Sequence, residues 1–465
     1  MPGSAEPQLG SGKTPAELGL GVPRESQRIV KRGYKQTEVG VIPEEWEVRS
    51  VGDLIRDGFI EKPLDGNHGN IHPKGSDFVD YGIPFVMANN VRDGQVDLVN
   101  CSFIRKEQAD ALRKGFSKTG DVLLTHKATI GNTAVVGAIL FDYVMLTPQV
   151  TYYRVADGTR LNNLYLRHFF DSGAFQGILK SLAGGGTRSY IGIVAQHRLP
   201  VVVPPNITEQ RAIATALSDV DALLAALDRL IAKKRDLKQA AMQQLLTGQI
   251  RLPGFHGEWE VKRLGDLFNF SGGYSASRDQ LSTEGYCYLH YGDIHGSTRT
   301  CIDADADFQD IPKLDIPLKR VSSASLLDDG DVVFVDASED DAGTSKHVVI
   351  VNKSKRPFIS GLHTIVAKSK TAELVHEYRS YCFQTPAIRQ QFLFYSVGTK
   401  VSGISKSNIP KLTLSFPCHS EQTAIAKILS DIDTELKKLN QRREKTHALK
   451  QAMMQDLLTG RTRLI

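Results

Sequence analysis

One stretch of this chain occurs twice, and it limits the possible folds more than any other feature of the sequence. Residues 209–252 and 421–464 align without a gap at an offset of 212, with 24 identities in 44 positions. A repeat of this kind has to be read before any local pattern, because it sets the architecture. In the first copy, apolar residues fall in steps of four and three at Ile213, Leu217, Val220, Leu224, Leu227 and Ile231. The second copy places Ile425, Leu429, Ile432, Leu436 and Leu439 in the same register. That spacing predicts one long helix per copy with a coiled-coil seam. Thr208 and Ser420 are expected as N-caps, with Glu209 and Glu421 facing the positive end of each helix dipole. Gly248 and Gly460 are expected to close the helices as C′ glycines. About 40 residues at ~1.5 Å rise make a rod of roughly 60 Å. Lys234 and Lys238 (Thr446 and Lys450 in the copy) interrupt the seam, which is expected to resume through Leu237, Ala241 and Leu245. Two copies in one chain suit an intramolecular antiparallel or crossed pair; a generic dimerising coiled coil is the other reading.

At 465 residues the chain has room for two to four domains. Its 41% hydrophobic and 23% charged content are those of an ordinary soluble protein. The net charge of +5 and pI near 8.7 are compatible with a nucleic-acid partner without requiring one. There is no apolar run of membrane-spanning length and no hydrophobic signal core, so a cytoplasmic protein is expected. Cys101, Cys287, Cys301, Cys382 and Cys418 are scattered, odd in number and without a CxxC pair. They suggest a reducing compartment, with neither a zinc site nor a disulfide framework.

Residues 1–41 lack periodicity and read as a flexible extension. Gly10-Ser-Gly-Lys-Thr14 imitates the end of a phosphate-binding loop, but Pro7 stands where its leading glycine belongs, and no strand precedes it. Further on, Trp46-Glu-Val48 with Gly52-Asp-Leu54 recurs as Trp259-Glu-Val261 with Gly265-Asp-Leu267. The chain's two tryptophans thus sit at matching places, as anchors at the root of two globes. The globes, about 50–205 and 263–417, carry short β-rich runs such as 121–125, 150–155, 331–335 and 347–351. Helices are expected near 161–182 and 373–394. Gly120-Asp-Val122 matches Gly330-Asp-Val332, and Gly186-Thr-Arg188 matches Gly398-Thr-Lys400. The last pair admits phosphate contact through its basic residue or plain turn geometry. The expected fold class is α+β, with two pseudo-two-fold-related globular recognition domains separated by two long antiparallel coiled-coil helices. The expected divisions are 1–41 (extension), 42–207 (first globe), 208–248 (central helix), 249–417 (second globe) and 418–465 (distal helix). Pseudosymmetry further places Leu464 near Ile42.

Catalytic motifs are scarce. Val203-Pro-Pro-Asn206 has the wrong order for an amino-methyltransferase motif, and no GxGxxG follows a strand. No His/Asp/Glu cluster has metal spacing. The acidic run 339–341 reads as a solvated loop, and His290, His295 and His363 as structural or surface residues.

The repeated Glu-Gln-x-x-Ile-Ala-x-x-Leu-Ser-Asp-hydrophobic-Asp stretch (209–221, 421–433), the Leu-Leu-Thr-Gly ends and the Trp-Glu-Val…Gly-Asp-Leu roots together resemble the DNA specificity subunit of type I restriction–modification systems. The resemblance covers about residues 42–465. It implies two target recognition domains reading the halves of an asymmetric, interrupted DNA site, with the helices as ruler and docking surface. It implies two methyltransferase subunits and restriction/translocase subunits as partners. S-adenosylmethionine, ATP and Mg would be carried by those partners, with no cofactor, metal or catalytic residue in this chain. The extension 1–41 is longer than the family pattern requires.

Base reading needs Arg/Lys, Asn/Gln and Ser/Thr side chains on loops. Candidates beside the repeated landmarks are Asn89, Asn90, Arg92, Lys127, Thr129, Asn132, Thr187, Arg188 and Tyr190 in globe one. In globe two they are His295, Arg299, Lys346, Thr399, Lys400, Ser405 and Lys406. A coiled-coil adaptor with two protein-binding domains is the main alternative, and a self-contained methyltransferase or nuclease the second. Arg188→Ala is expected to weaken DNA binding with a shallower salt slope if Arg188 meets phosphate. Titration of a labelled duplex at several salt concentrations measures this, and wild-type affinity would make Arg188 a turn residue.

Overall fold

The computed structural model describes residues 30–183, 190–297, 299–338, 345–398 and 402–465. The Gly10–Thr14 imitation loop, the acidic run 339–341 and the candidates Thr187, Arg188, Thr399 and Lys400 lie outside the described residues. The chain forms two compact units, one of Met1–Leu224 with Lys445–Ile465 and one of Ala225–Glu444. The division falls inside both repeated helices, Ile207–Leu245 and His419–Leu457. Each unit therefore holds the start of one helix and the end of the other.

The packing inside each unit is antiparallel. In the first, Ile213, Ala214 and Leu217 share a core with Met454, Leu457 and Leu458. In the second, Ile425, Ala426 and Leu429 share a core with Leu245 and Leu246. Of the seam residues, Ile213, Leu217, Leu227, Ile231, Ile425 and Leu429 are buried, while Val220, Leu224, Ile432, Leu436 and Leu439 are half-buried. Leu237 is 49% exposed, so the seam does not resume there. Ion pairs take over at that point. Lys234 meets Glu435 at 2.8 Å and Lys238 meets Asp433 at 2.6 Å; in the first unit Lys450 meets Asp221 at 2.6 Å. Lys238/Lys450 and Asp433/Asp221 are matching positions of the repeat, so the lysines that interrupt the apolar pattern are themselves cross-helix contacts.

The helix starts differ slightly from expectation. The first helix begins at Ile207, and Asn206 Oδ1 accepts the Thr208 N–H at 2.9 Å. Asn206 thus does the capping, and Thr208 and Ser420 lie within the first turns. Glu209 and Glu421 are buried rather than merely facing a dipole. Arg463 grips Glu209, with Nη2 at 2.8 Å from Oε2, and also reaches Glu45. Arg251, the repeat partner of Arg463, grips Glu421 through Nε at 2.7 Å and Nη2 at 2.6 Å. Each arginine also lies near the ring of its unit's root tryptophan, Trp46 or Trp259. Gly460 and Gly248 have positive φ; a Cβ at Gly460 would strike Pro43, and one at Gly248 would press closely on Trp259. Leu464 and Ile42 are thereby brought to neighbouring segments of the first unit.

Gln210 and Gln422 tie each helix start to its globe. Gln210 accepts the Asn162 N–H and donates to the Arg160 and Pro204 carbonyls, all at 2.8–2.9 Å. Gln422 makes the same set with Val375, Glu373 and Pro417 at 2.9 Å.

Each globe is rooted on a two-stranded antiparallel ribbon, Glu47–Ser50 with Pro200–Val203 and Glu260–Arg263 with Thr413–Phe416. Each is built round a buried central strand, Val122–Thr125 or Val332–Val335, antiparallel to both neighbours. A second mixed sheet packs beside it, of five strands in globe one and four in globe two. The expected single helices are each broken in two, as Asn163–Asp171 with Gly173–Ala183 and His376–Cys382 with Pro386–Tyr395. Pro386 explains the second break, since a proline suits the first turn of a helix and not its interior. Gly120 and Gly330 take positive φ at matching turns. Beside them the Asp121 and Asp331 carboxylates accept turn N–H groups and pair with Arg154 and Lys368.

Arg463→Ala would leave Glu209 buried without its cation. Loss of one partner of a buried pair costs ~3–5 kcal/mol, and the partial exposure of Arg463 places the expected loss at the low end. Chemical denaturation should report it, and Glu209→Gln in the same background should recover part of the loss.

Candidate nucleic-acid interface

The loops at one end of each central strand bring together most of the exposed polar candidates. In globe one, the turn after Thr125 exposes Lys127 and Thr129, with Ala128 held at φ +66°. Lys127 pairs through the backbone with Tyr190, and its Nζ lies 5.9 Å from that ring. Tyr190 is 47% exposed and packs against His126 with ring centroids 5.6 Å apart. His126 is fully buried. Its Nδ1 lies 3.0 Å from the Ile191 carbonyl, while Nε2 has no hydrogen-bond partner among the described residues. Burial holds its imidazole below the usual histidine range.

The remaining globe-one candidates are mixed. Asn89 and Arg92 are exposed, and Arg92 is paired with Asp97. Asn90 is buried, accepting the Met87 N–H at 3.0 Å. Asn132 donates to the Val91 carbonyl at 2.9 Å. In this structure those two amides brace the loops.

In globe two, Asp336 follows the central strand and His363 precedes the neighbouring one; His363 takes φ +58°. His295 ends a short helix, and its carbonyl accepts from Lys346. Arg299 pairs with Asp307 at 2.8 Å. Ser405 and Lys406 are exposed after the strand Ser402–Ile404. Arg299 and Lys346 also converge with Arg389 on a cleft of about 560 Å³ whose lining carries no carboxylate.

The other wall of that cleft is the end of the first helix, through Gln239, Met242, Gln243 and Leu246. In the first unit the repeat-equivalent Gln451, Met454, Gln455 and Leu458 line a second cleft of about 530 Å³. These faces were not singled out from the sequence, although a signal was present. Residues 237–248 and 449–460 agree at 10 of 12 positions. Gln239, Ala240 and Gln243 and their copies are exposed, so folding alone does not account for their identity.

Among the described residues, no group of three or more His, Cys, Asp or Glu side chains is placed to hold a metal ion. Nor is any helix among them long and apolar enough to cross a membrane.

Residues 256–446 match the profile of the type I restriction modification DNA specificity domain. Over 462 residues the chain is 24% identical to the MjaX type I restriction enzyme specificity subunit of Methanocaldococcus jannaschii, covering 93% of this chain and 97% of the relative. Residues 256–446 of this chain thus carry a type I restriction modification DNA specificity domain, and the chain is similar to type I specificity subunits along nearly its whole length. The MjaVIII specificity subunit of the same organism is 26% identical over 228 residues, 48% of this chain and 50% of that one. The fold agrees with the S subunit of the type I restriction–modification system from M. genitalium, at a TM-score of 0.54 and 14% identity over 89% of this chain and 96% of that one. It also agrees with a chain from a study of complex assembly and conformational transition of the type I R-M system, at 0.52 and 15% over 90% and 99%.

Two buried histidines give the protein a defined response to acid. Burial, and next the Arg167 guanidinium, push His168 down to about 3, and burial pushes His347 down to about 4. Unfolded, each takes a proton near pH 6.5. The unfolded state therefore binds more protons below that pH, and stability is lost as pH falls from about 6.5 toward 4. Each histidine contributes a slope of up to ~1.4 kcal/mol per pH unit. Denaturation midpoints measured from pH 7 to 4.5 should fall, and His347→Asn should flatten the fall.

Proposed function

We propose that this specificity subunit reads a bipartite, asymmetric DNA site, one half per globe, and seats two copies of one methyltransferase subunit on its repeated helix ends. The observation that carries this reading is the contrast between the two parts of the repeat. The exposed helix faces around Gln239 and Gln451 are nearly identical, as a partner bound twice requires. The globe edges are unlike, with Lys127, Thr129 and Tyr190 on one and His295, Arg299, Lys346, Ser405 and Lys406 on the other. Two readers of different chemistry select two different half-sites, and spacing follows from the scaffold between them.

In this reading the methyltransferase subunits bring S-adenosylmethionine and flip the target adenine, since chemistry on a base requires it to leave the stack. Restriction/translocase subunits bring ATP and Mg, and the assembly works in the cytoplasm, where the cell's DNA is reached. Asn89, Arg92 and the cations of the globe edges supply base and phosphate contacts.

The test is co-expression of this chain with its methyltransferase partner, followed by mapping of methylated adenines and DNA titration at several salt concentrations. The expected outcome is one interrupted motif and a steep salt slope. Binding without sequence preference would favour the adaptor reading. Methylation by the chain alone would overturn the division of labour.

A further inference from the structure

One position occurs in both globes with the same backbone setting and an unusual side chain. His126 and Asp336 each follow the last residue of the central strand. The His126 carbonyl accepts the Ile191 N–H at 3.0 Å, and the Asp336 carbonyl accepts the Ile404 N–H at 2.8 Å. The His126 N–H donates to the Gln149 carbonyl at 3.0 Å, and the Asp336 N–H to the His363 carbonyl at 3.2 Å. Gln149 and His363 each immediately precede the strand paired with the central one. The two residues are therefore structural equivalents, each six residues after the matching glycine, Gly120 or Gly330.

Strands of buried Val, Leu and Phe lead into both positions. An apolar residue would continue those cores. Instead each position holds a polar side chain with one buried atom lacking a hydrogen-bond partner among the described residues, Nε2 of His126 and Oδ1 of Asp336. His363 Nδ1 comes within 3.3 Å of Asp336 Oδ1 but is not aligned for a hydrogen bond. Unpaired buried polar atoms are rare in native proteins and destabilising. That both globes keep one at the same place points to a group that arrives later.

The chemistry of the two atoms is shared. Because the Ile191 carbonyl can only accept, His126 Nδ1 carries the proton and Nε2 presents a bare lone pair. A carboxylate oxygen likewise accepts. Burial acts in the same sense at both, lowering the imidazole and raising the carboxyl. In the major groove, the donor that meets an acceptor on a protein is the exocyclic amino group, N6 of adenine or N4 of cytosine.

We propose that the residue after the central strand is a base-reading position in each globe, with Asp336 and His126 each accepting from an exocyclic amino group in its own half-site. This rests on the DNA-reading assignment above. The Asp336 side chain is 31% exposed, beside Tyr291 and His363. His126 lies beneath Tyr190, which must turn aside for Nε2 to be reached.

The test uses the chain assembled with its methyltransferase partner on duplexes of the mapped motif. Adenine is replaced by purine, or cytosine by 2-pyrimidinone, one position at a time, so that a single amino group is removed. Wild type should lose affinity about 5- to 100-fold at one position in the half-site read by globe two, and Asp336→Ala should be indifferent to that same deletion. Asp336→Ala should still pay the full penalty for deletions in the other half-site, which shows that it is folded and assembled. His126→Ala should give the mirror result. If every amino deletion weakens the variants as it weakens wild type, these atoms meet ordered water and the proposal falls. If wild type itself shows no interrupted motif, it is the DNA-reading assignment that fails.

Discussion

The buried carboxylates of Glu209 and Glu421 govern how the rest of the chain must fold. Each lies in the first turn of a 39-residue helix and is nearly inaccessible. A charge so placed is tolerable only with a partner, and the partner comes from just past the end of the other helix. A parallel arrangement would strand both. The pairing of a glutamate that opens the repeat with an arginine near its close thus selects an antiparallel, intramolecular solution, and the apolar seam fills the space between. The repeat-equivalent Asp221 and Asp433 extend the same logic, each meeting a lysine of the opposite helix. They also hold their own globes, through Arg167 and the Tyr381 hydroxyl.

This division of tasks explains why the helices resemble each other so much more than the globes do. Gln210 and Gln422 bind only backbone atoms of the connecting segments. A helix that grips carbonyls and N–H groups places no demand on the side chains of the domain it carries. The globes can then diverge in sequence while their central strands, their left-handed glycines at 120 and 330 and their root ribbons keep one geometry.

Much of this was legible in the residues. The gapless repeat, the three–four spacing and the paired tryptophans lead directly to two like units with long helices. The interruptions at Lys234 and Lys238 were readable as breaks, but their ion pairs needed three-dimensional proximity. Both breaks were open to sequence reasoning, the one at Pro386 through proline and the other through Ser172-Gly173, where Ser172 Oγ accepts the Phe175 N–H. The interface was harder. Asn90 and Asn132 have the right chemistry for bases, yet their amides are engaged by neighbouring backbone, a fact fixed by loop conformation and invisible to composition. Conversely, His126 and Asp336 stand six residues after the matched glycines 120 and 330, but their differing chemistry hides a shared role until the backbone hydrogen bonds are seen. The twin helix faces were present as identity in the repeat, and only exposure separates those identities from the ones that serve the core.

The way the units divide the chain also bears on the order in which they are made. The second unit is one uninterrupted stretch, Ala225–Glu444, whereas the first draws on Lys445–Ile465 as well. On the ribosome, globe one and its root emerge early, but Trp46, Tyr34 and Glu209 wait for Gly460 and Arg463, which are translated after the whole of the second unit. Nascent globe one spends that interval with an open apolar flank around Ile213 and Leu217, the period in which such surfaces are prone to wrong partners. Closing that flank waits for the end of the second long helix.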